Sequence, residues 1–536
     1  VDGVGGKENV RLQRPCLIIL SVTSILLISV VVRLYGVGKI PVWSDEAFTL
    51  ILSSYSPSQI VFHTTQDVHP PLYYLVLHCW MSIFGNGLFA TRSLSVMAGS
   101  LSVLLGMWLL SLICTRRAAV LGGVILALLP IAVRYSQEVR MYALLGLLML
   151  GATIAFVYWL KNPRVNFALA MYVVLAMAGL YTHYFAAVGL VSYWAYLLVL
   201  MCRREVSYKY LFAKDWWLAN ILIALFFTPW VPNLLHQLEF SGFNWIERSD
   251  FDAVVSAMWM FVSYTDGLDF HVLLFYSLPV ALFVIALVAM MHDSTPRKYS
   301  YLIVTYTWFP LVLIALVSFF RPLFVVRYFM FAALGLPMIM ALALDTYWVR
   351  WRLYCCISMV LIISMESAGI YNVHRVGHVV HQEINSMDAV SAQLNAQVAT
   401  KDEVLITYGF LYFPFVYYNT TGVTPKFYAP PNADGTLSRP NGTLIWTLVQ
   451  NKASEIFIDN LDGLKSRSGR IWMLGNYIGG AQEIVVPQSW RLISTFIVED
   501  TQLQLFELGS SDAQPNSSTV QTIESGMYVP DSANLP

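Results

Sequence analysis

Eleven apolar stretches, each about long enough to cross a bilayer, recur through the first 371 residues and leave the chain few ways to fold. Roughly 20 apolar residues span a hydrocarbon core. The stretches fall at about 15–35, 88–114, 118–135, 142–160, 165–182, 184–201, 216–231, 271–291, 299–320, 328–346 and 353–371. Charge is correspondingly scarce, at 12% of the 536 residues, against about 25% in ordinary soluble domains. The 32 Lys and Arg are balanced by 32 Asp and Glu, so no basic excess exists to hold nucleic acid. The pattern predicts a polytopic α-helical membrane protein with about 11 transmembrane helices.

Orientation follows from where the basic residues fall. The first stretch is preceded by Lys7, Arg11 and Arg14 and lacks a small-residue cleavage site, so it reads as a retained span. The segment His69–Gly85, H-P-P-L-Y-Y-L-V-L-H-C-W-M-S-I-F-G, is apolar but short and opens on two prolines. Laid along the outer face rather than across the membrane, it leaves the larger share of Lys and Arg on the inner side, among them Arg116, Arg117, Arg203, Arg204, Arg350 and Arg352. That satisfies the positive-inside rule with the N-terminus inside and the C-terminus outside. The six cysteines all lie in apolar segments, none spaced as C-x-x-C. They read as small core residues rather than as a disulfide framework or a zinc site.

Near residue 372 the apolar runs shorten and turn residues return, so 1–371 reads as the transmembrane domain and 372–510 as a soluble outer domain. The runs D-E-V-L-I-T-Y, T-P-K-F-Y, G-R-I-W-M-L and Q-L-Q-L-F-E-L predict strands, and Ala453–Leu464 predicts a helix. Alternation of this kind predicts a small C-terminal α/β domain. The stretch 511–536, rich in Ser, Asn, Pro and Asp, reads as a disordered tail.

Polar groups at membrane level are expensive and mark functional sites. The predicted topology collects four at the outer face: Trp43-Ser44-Asp45-Glu46; Asp67 with His69-Pro70-Pro71; Arg134 through Tyr142, R-Y-S-Q-E-V-R-M-Y; and Arg321 through Tyr328, R-P-L-F-V-V-R-Y. Tyr181-Thr182-His183-Tyr184 adds a smaller one. Taken singly, an acidic pair at a span's end is a solvated boundary, an interfacial arginine snorkels toward headgroups, and a histidine is a hydrogen-bonded structural residue. Carboxylates and arginines recurring on one face, against the usual charge rule, suit a phosphate-bearing lipid substrate meeting a hydroxyl nucleophile.

The order of these motifs, W-S-D-E, H-P-P-L-Y-Y, R-Y-S-Q-E-V-R-M-Y-A, T-H-Y and F-V-V-R-Y, resembles bacterial family 39 glycosyltransferases of the GT-C superfamily. Protein O-mannosyltransferases and aminoarabinose transferases acting on lipid A belong to the same group. The resemblance covers about residues 15–345. It implies transfer of a sugar from a polyprenyl phosphate to an envelope acceptor (lipid, glycan or protein hydroxyl) at the outer face of the plasma membrane, with inversion at the anomeric carbon. Asp45 is the implied base, with Glu46 and Glu138 supporting it or orienting the acceptor. A lipid-phosphate leaving group needs charge stabilisation, which arginine's planar fork supplies. Arg327 is the first choice there, then Arg140 and Arg134, with Arg321 nearby. Trp43, Asp67, His69, Tyr142, His183 and Tyr328 complete the expected pocket. A divalent metal is left open, with Glu46, Asp67, His69 and Glu138 as candidate ligands.

Two other classes compete. A carrier or flippase for lipid-linked sugars would also place arginines near phosphates, yet no internal duplication is visible and the charges cluster at one face. A structural or sensor protein leaves the outer arginines unexplained.

Overall fold

The computed structural model describes residues 5–164, 166–240, 246, 250–376, 387–432, 434, 436, 438–440, 442–462, 464, 469–477, 484–498, 500–508 and 519–523. The chain divides into two units. One comprises 1–37 and 60–377, the other 38–59 and 378–536.

In chain order the helices are α1 (Gly5–Leu34), α2 (Ser44–Ser53), α3 (Pro57–Thr65), α4 (Leu72–Phe84), α5 (Leu88–Ile113), α6 (Arg116–Leu128), α7 (Pro130–Ser136), α8 (Tyr142–Lys161), α9 (Asn166–Thr182), α10 (Ala186–Cys202), α11 (Lys214–Phe227), α12 (Val231–Phe240), α13 (Phe251–Ser263), α14 (Val272–Met291), α15 (Tyr299–Ser318), α16 (Met330–Ala333), α17 (Gly335–Tyr347) and α18 (Arg352–Val376). The first unit is therefore almost wholly helical, as expected. Among the described residues seven helical segments are long and apolar enough to cross a membrane, or eight if the bent pair α6–α7 is one span. The apolar helices Ile18–Leu34, Asn166–Thr182 and Ala186–Cys202 are shorter, and they occupy three more of the eleven stretches read from sequence. The helix at 72–84 has 13 residues, about 20 Å at 1.5 Å per residue, which is short of the roughly 30 Å core. The same holds for α13.

The bend of 57° between α6 and α7 has a local cause. Pro130 has no N–H to give the Leu126 carbonyl, and its ring excludes a continuous helix. Arg33, buried at the end of α1, fills the gap. Its guanidinium donates to the carbonyls of Ala127 at 2.8 Å and Leu126 at 3.4 Å, to Ser29 Oγ at 2.8 Å and to Ser136 Oγ at 3.2 Å. Gly99 permits that approach, because a Cβ there would lie 2.0 Å from Ser136 Oγ and 3.1 Å from Arg33 Nε. The Gln137 amide donates to the Arg33 and Tyr35 carbonyls at 3.0 and 2.8 Å, satisfying acceptors that the end of α1 leaves free.

The second unit adds α19 (Met387–Gln397), α20 (Gly409–Tyr418) and α21 (Ala453–Ile456) to seven strands. These are β1 (Glu403–Ile406), β2 (Lys426–Tyr428), β3 (Phe457–Ile458), β4 (Arg470–Asn476), β5 (Trp490–Val498), β6 (Thr501–Leu508) and β7 (Thr519–Ile523). The sheet order is β3-β2-β1-β4-β6-β5-β7. The first four strands run parallel, β6 pairs antiparallel with β4 and β5, and β7 runs parallel to β5. Leu405, Ile471, Met473, Trp490 and Phe506 form a core on this sheet. An α/β domain is thus present, with four strands where the sequence placed them.

Two details differ from the sequence reading. Ala453–Leu464 is helical only to Ile456, because Phe457 and Ile458 pair with Phe427 and Tyr428. Within the tail expected to be disordered, Thr519–Ile523 is a strand with the β5 edge as its partner; residues 511–518 and 524–536 lie outside the described residues. The sequence reading divides the chain at 371/372; of the two compact units, the second includes Gly38–Gln59. That grouping has a visible basis: the Phe48 ring meets Phe413 edge-on at 6.5 Å, and the Val42 N–H donates to the Tyr418 hydroxyl at 2.8 Å.

Candidate active site

In the first unit the end of α7 and the loop after it draw charged side chains into the protein. Arg134, Glu138 and Arg140 are all buried. Arg134 Nη2 lies 2.6 Å from Glu138 Oε1 and Arg134 Nε donates to the Tyr264 hydroxyl at 3.1 Å. Such burial is tolerable only because the charges are paired and hydrogen-bonded. Tyr264 was not foreseen from sequence. Its left-handed backbone, φ 51°, at the end of α13 is not a sequence signal for a residue of this kind.

A second group lies on the turn before α4 and at the start of α10. His69 Nδ1 sits 3.4 Å from Asp67 Oδ2, which also accepts from the Tyr74 hydroxyl at 3.1 Å. Burial works to raise the Asp67 pKa. The hydrogen bond and charge of His69, the Val68 N–H and the charge of Arg140 outweigh it, and the carboxyl titrates below its ordinary value. The His69 and His183 rings are 5.4 Å apart. His183 in turn lies 6.0 Å from the Tyr142 ring and 4.9 Å from the Tyr328 ring.

His183 is where the separate motifs meet. Burial, then the charges of His69, Arg140 and Arg327, hold its pKa well below the usual histidine value. Its Nδ1 accepts from the Phe185 N–H at 3.1 Å. Arg327 stands in the short turn before α16, its guanidinium 5.9 Å from the Tyr328 ring. Asp67, His69, Arg140, Tyr142, His183, Arg327 and Tyr328 thus lie together in the first unit, while Arg134 and Glu138 pair with each other.

Other expected site residues are placed differently. Arg321 is exposed, beyond the end of α15. Trp43, Asp45 and Glu46 belong to the second unit. There Asp45 and Glu46 occupy the first turn of α2, where the helix dipole favours negative charge. Glu46 is fully buried and Trp43 nearly so. The Thr49 hydroxyl donates to the Asp45 carbonyl at 2.7 Å. Among the described residues no group of three or more His, Cys, Asp or Glu side chains is placed to hold a metal ion.

This fold is shared with solved structures. The crystal structure of ArnT from Cupriavidus metallidurans in the apo state superposes with a TM-score of 0.59 and 13% identity, covering 92% of this chain and 99% of that one. The same protein bound to undecaprenyl phosphate gives a TM-score of 0.60 at 12% identity over 92% and 99% of the two chains. Archaeal oligosaccharyltransferase AglB from Archaeoglobus fulgidus, in complex with an inhibitory peptide and a dolichol-phosphate, aligns more loosely, with a TM-score of 0.46 and 11% identity over 86% and 70%. Residues 68–232 match the family model described as dolichyl-phosphate-mannose-protein mannosyltransferase. That stretch contains the motifs from His69 to His183. Among curated proteins nothing matches the chain.

Proposed function

We propose that this chain is an integral-membrane glycosyltransferase that moves a sugar from a polyprenyl-phosphate donor to an envelope hydroxyl. The observation that carries this reading is the convergence of Arg140 and Arg327 on a buried histidine, His183, whose ring lies 4.9 Å from that of Tyr328, itself 5.9 Å from the Arg327 guanidinium. Two permanent cations and an N–H donor in a desolvated pocket are what a lipid phosphate requires as it departs and gains charge. Arg327 and Arg140 grip the donor phosphate, and His183 donates to it from Nε2. Arg134 and Glu138, occupied with each other, hold the loop that carries Arg140. Asp45 takes the role the family resemblance implies, removing the acceptor proton as its oxygen attacks the anomeric carbon. One direct displacement inverts that carbon. The protein faces the outside of the plasma membrane with this chemistry, its N-terminus inside and its second unit outside. The match of residues 68–232 to a mannosyltransferase family model and the fold shared with ArnT support the reading.

The test uses purified full-length chain, synthetic polyprenyl-phosphate sugars and candidate lipid, glycan and peptide acceptors. Mass spectrometry should show free polyprenyl phosphate formed together with a glycosylated acceptor. Movement of intact donor across liposomes without cleavage of the glycosidic bond would replace the transferase with a flippase.

A further inference from the structure

The span formed by Val326–Tyr347 has 22 residues, about 33 Å at 1.5 Å per residue. Tyr347 therefore lies at the membrane face opposite Arg327. At that far end α14, α17 and α18 do not close on one another, and they border an open groove of about 440 Å³. Its walls are single helical stripes: Val284 and Val288 from α14, Met340 and Leu344 from α17, Cys355 and Ile362 from α18. Ser358 from α18 adds one hydroxyl to the wall, and two other polar groups there are already engaged. Cys355 Sγ donates to the Leu344 carbonyl at 3.6 Å, and the Tyr347 hydroxyl lies 3.4 Å from His292 Nε2. Water has few partners in such a space, whereas hydrocarbon needs none. Trp351 and Tyr354 line its mouth and are exposed, as aromatic residues at a membrane interface are. Arg350 and Arg352 flank Trp351, both exposed, with the Arg350 guanidinium 5.7 Å from the Trp351 ring.

We infer that this groove binds one acyl chain of an anionic phospholipid, whose headgroup is held by Arg350 and Arg352. Charge complementarity selects the occupant: an apolar slot beneath two interfacial arginines matches a chain beneath a phosphate that carries net negative charge. The site lies across the membrane from the arginine and histidine network, so it stands whether or not the chain transfers sugars.

The test reads Trp351 fluorescence in full-length chain titrated with phosphatidylglycerol or phosphatidylcholine brominated on the acyl chains. The Trp351→Phe protein supplies the signal to subtract. Quenching should reach half its maximum at a mole fraction of phosphatidylglycerol lower by about tenfold or more than that of phosphatidylcholine. Arg350→Gln combined with Arg352→Gln should bring the two lipids together. Ala343→Phe, which fills the groove, should weaken quenching by both. Because an overfilled core can fail to fold, Ala343→Leu is read beside it, with thermal melting of each variant. Equal quenching by the two lipids in the unaltered protein would overturn the site, as would a phosphatidylglycerol preference that survives loss of both arginines. A detergent-stable dimer that shields Trp351 from both lipids would overturn it too, by making the slot a contact between copies.

Discussion

The Phe185 N–H donates to His183 Nδ1 at 3.1 Å, which fixes the tautomer of a buried imidazole. With Nδ1 accepting, the proton of the neutral ring resides on Nε2, and that nitrogen is a donor. Burial, His69, Arg140 and Arg327 all disfavour the charged form. As pH falls through about 6.5 the unfolded chain gains a proton at this residue, while the folded chain does not. Stability therefore falls with pH by up to about 1.4 kcal/mol per unit for this one group. Melting temperatures in detergent between pH 7.5 and 5.5 should show the decline. His183→Gln, which keeps a donor but cannot titrate, should flatten it; an unchanged slope would remove His183 as its source.

Arg327 is expected to act on the donor phosphate through paired hydrogen bonds. Arg327→Ala should lose charge-assisted bonds worth about 1.5–3 kcal/mol each, and kcat should fall as well as affinity because charge grows on the phosphate as the glycosidic bond breaks. Arg327→Lys should recover only part, since a point charge does not reproduce the fork. A snorkelling arginine gives the opposite pattern, with lysine fully adequate. Steady-state transfer from a synthetic donor distinguishes the two.

The Arg134–Glu138 pair is expected to matter more for architecture than for chemistry. Glu138→Gln strands a buried guanidinium and should cost about 3–5 kcal/mol. Arg134→Met combined with Glu138→Leu should be far less destabilised than either single change. Thermal melting of the three variants tests this; additive losses would show that the two side chains do not depend on each other.

Asp45→Asn should leave folding and donor binding close to normal, because the side chains are nearly isosteric. Transfer should drop by about 10²–10⁴-fold, the usual loss for a positioned base. Near-normal turnover in a folded Asp45→Asn protein would take Asp45 out of the mechanism and leave it as a dipole-stabilising residue at the start of α2.

Topology is checked on a chain whose native cysteines have been replaced. Asn86→Cys, at the exposed end of α4, should react with an impermeant thiol reagent in intact cells, and Arg116→Cys should not. Reversed labelling would turn the protein over in the membrane.

Much of the first unit could be read from sequence because the bilayer imposes a length and an apolarity that few other constraints override. The eleven stretches each became helical, and the short H-P-P-L-Y-Y segment became a helix too short to cross. The meeting of His69, Arg140, His183 and Arg327 was foreshadowed by motif order alone. The pairing of Arg134 with Tyr264 was not, because it is a contact across 130 positions, and pairing at that distance leaves no periodic trace. The second unit was harder. The strand β3 is two residues long, and W-R-L-I-S-T-F-I-V of β5 carries a register shift between Leu492 and Ser494 that spoils simple alternation. Nor does anything in W-S-D-E announce that Phe48 will seek Phe413, since both lie in apolar runs that suit many partners.

The guanidinium of Arg33, spread over the Leu126 and Ala127 carbonyls, sets an order of assembly. Those acceptors are exposed by the proline that bends α6 away from α7, and hydrocarbon offers them no donor. α1 precedes α6 in the chain, so Arg33 is made before its partners. The arginine in turn has no comfortable place in lipid until those carbonyls and Ser136 reach it. Each segment is a poor membrane helix alone and a good one in the presence of the other. A chain begun after residue 37 would insert the later spans without the clamp for the α6–α7 bend, and α7 with the loop after it, which bear Arg134, Glu138 and Arg140, would lose their footing.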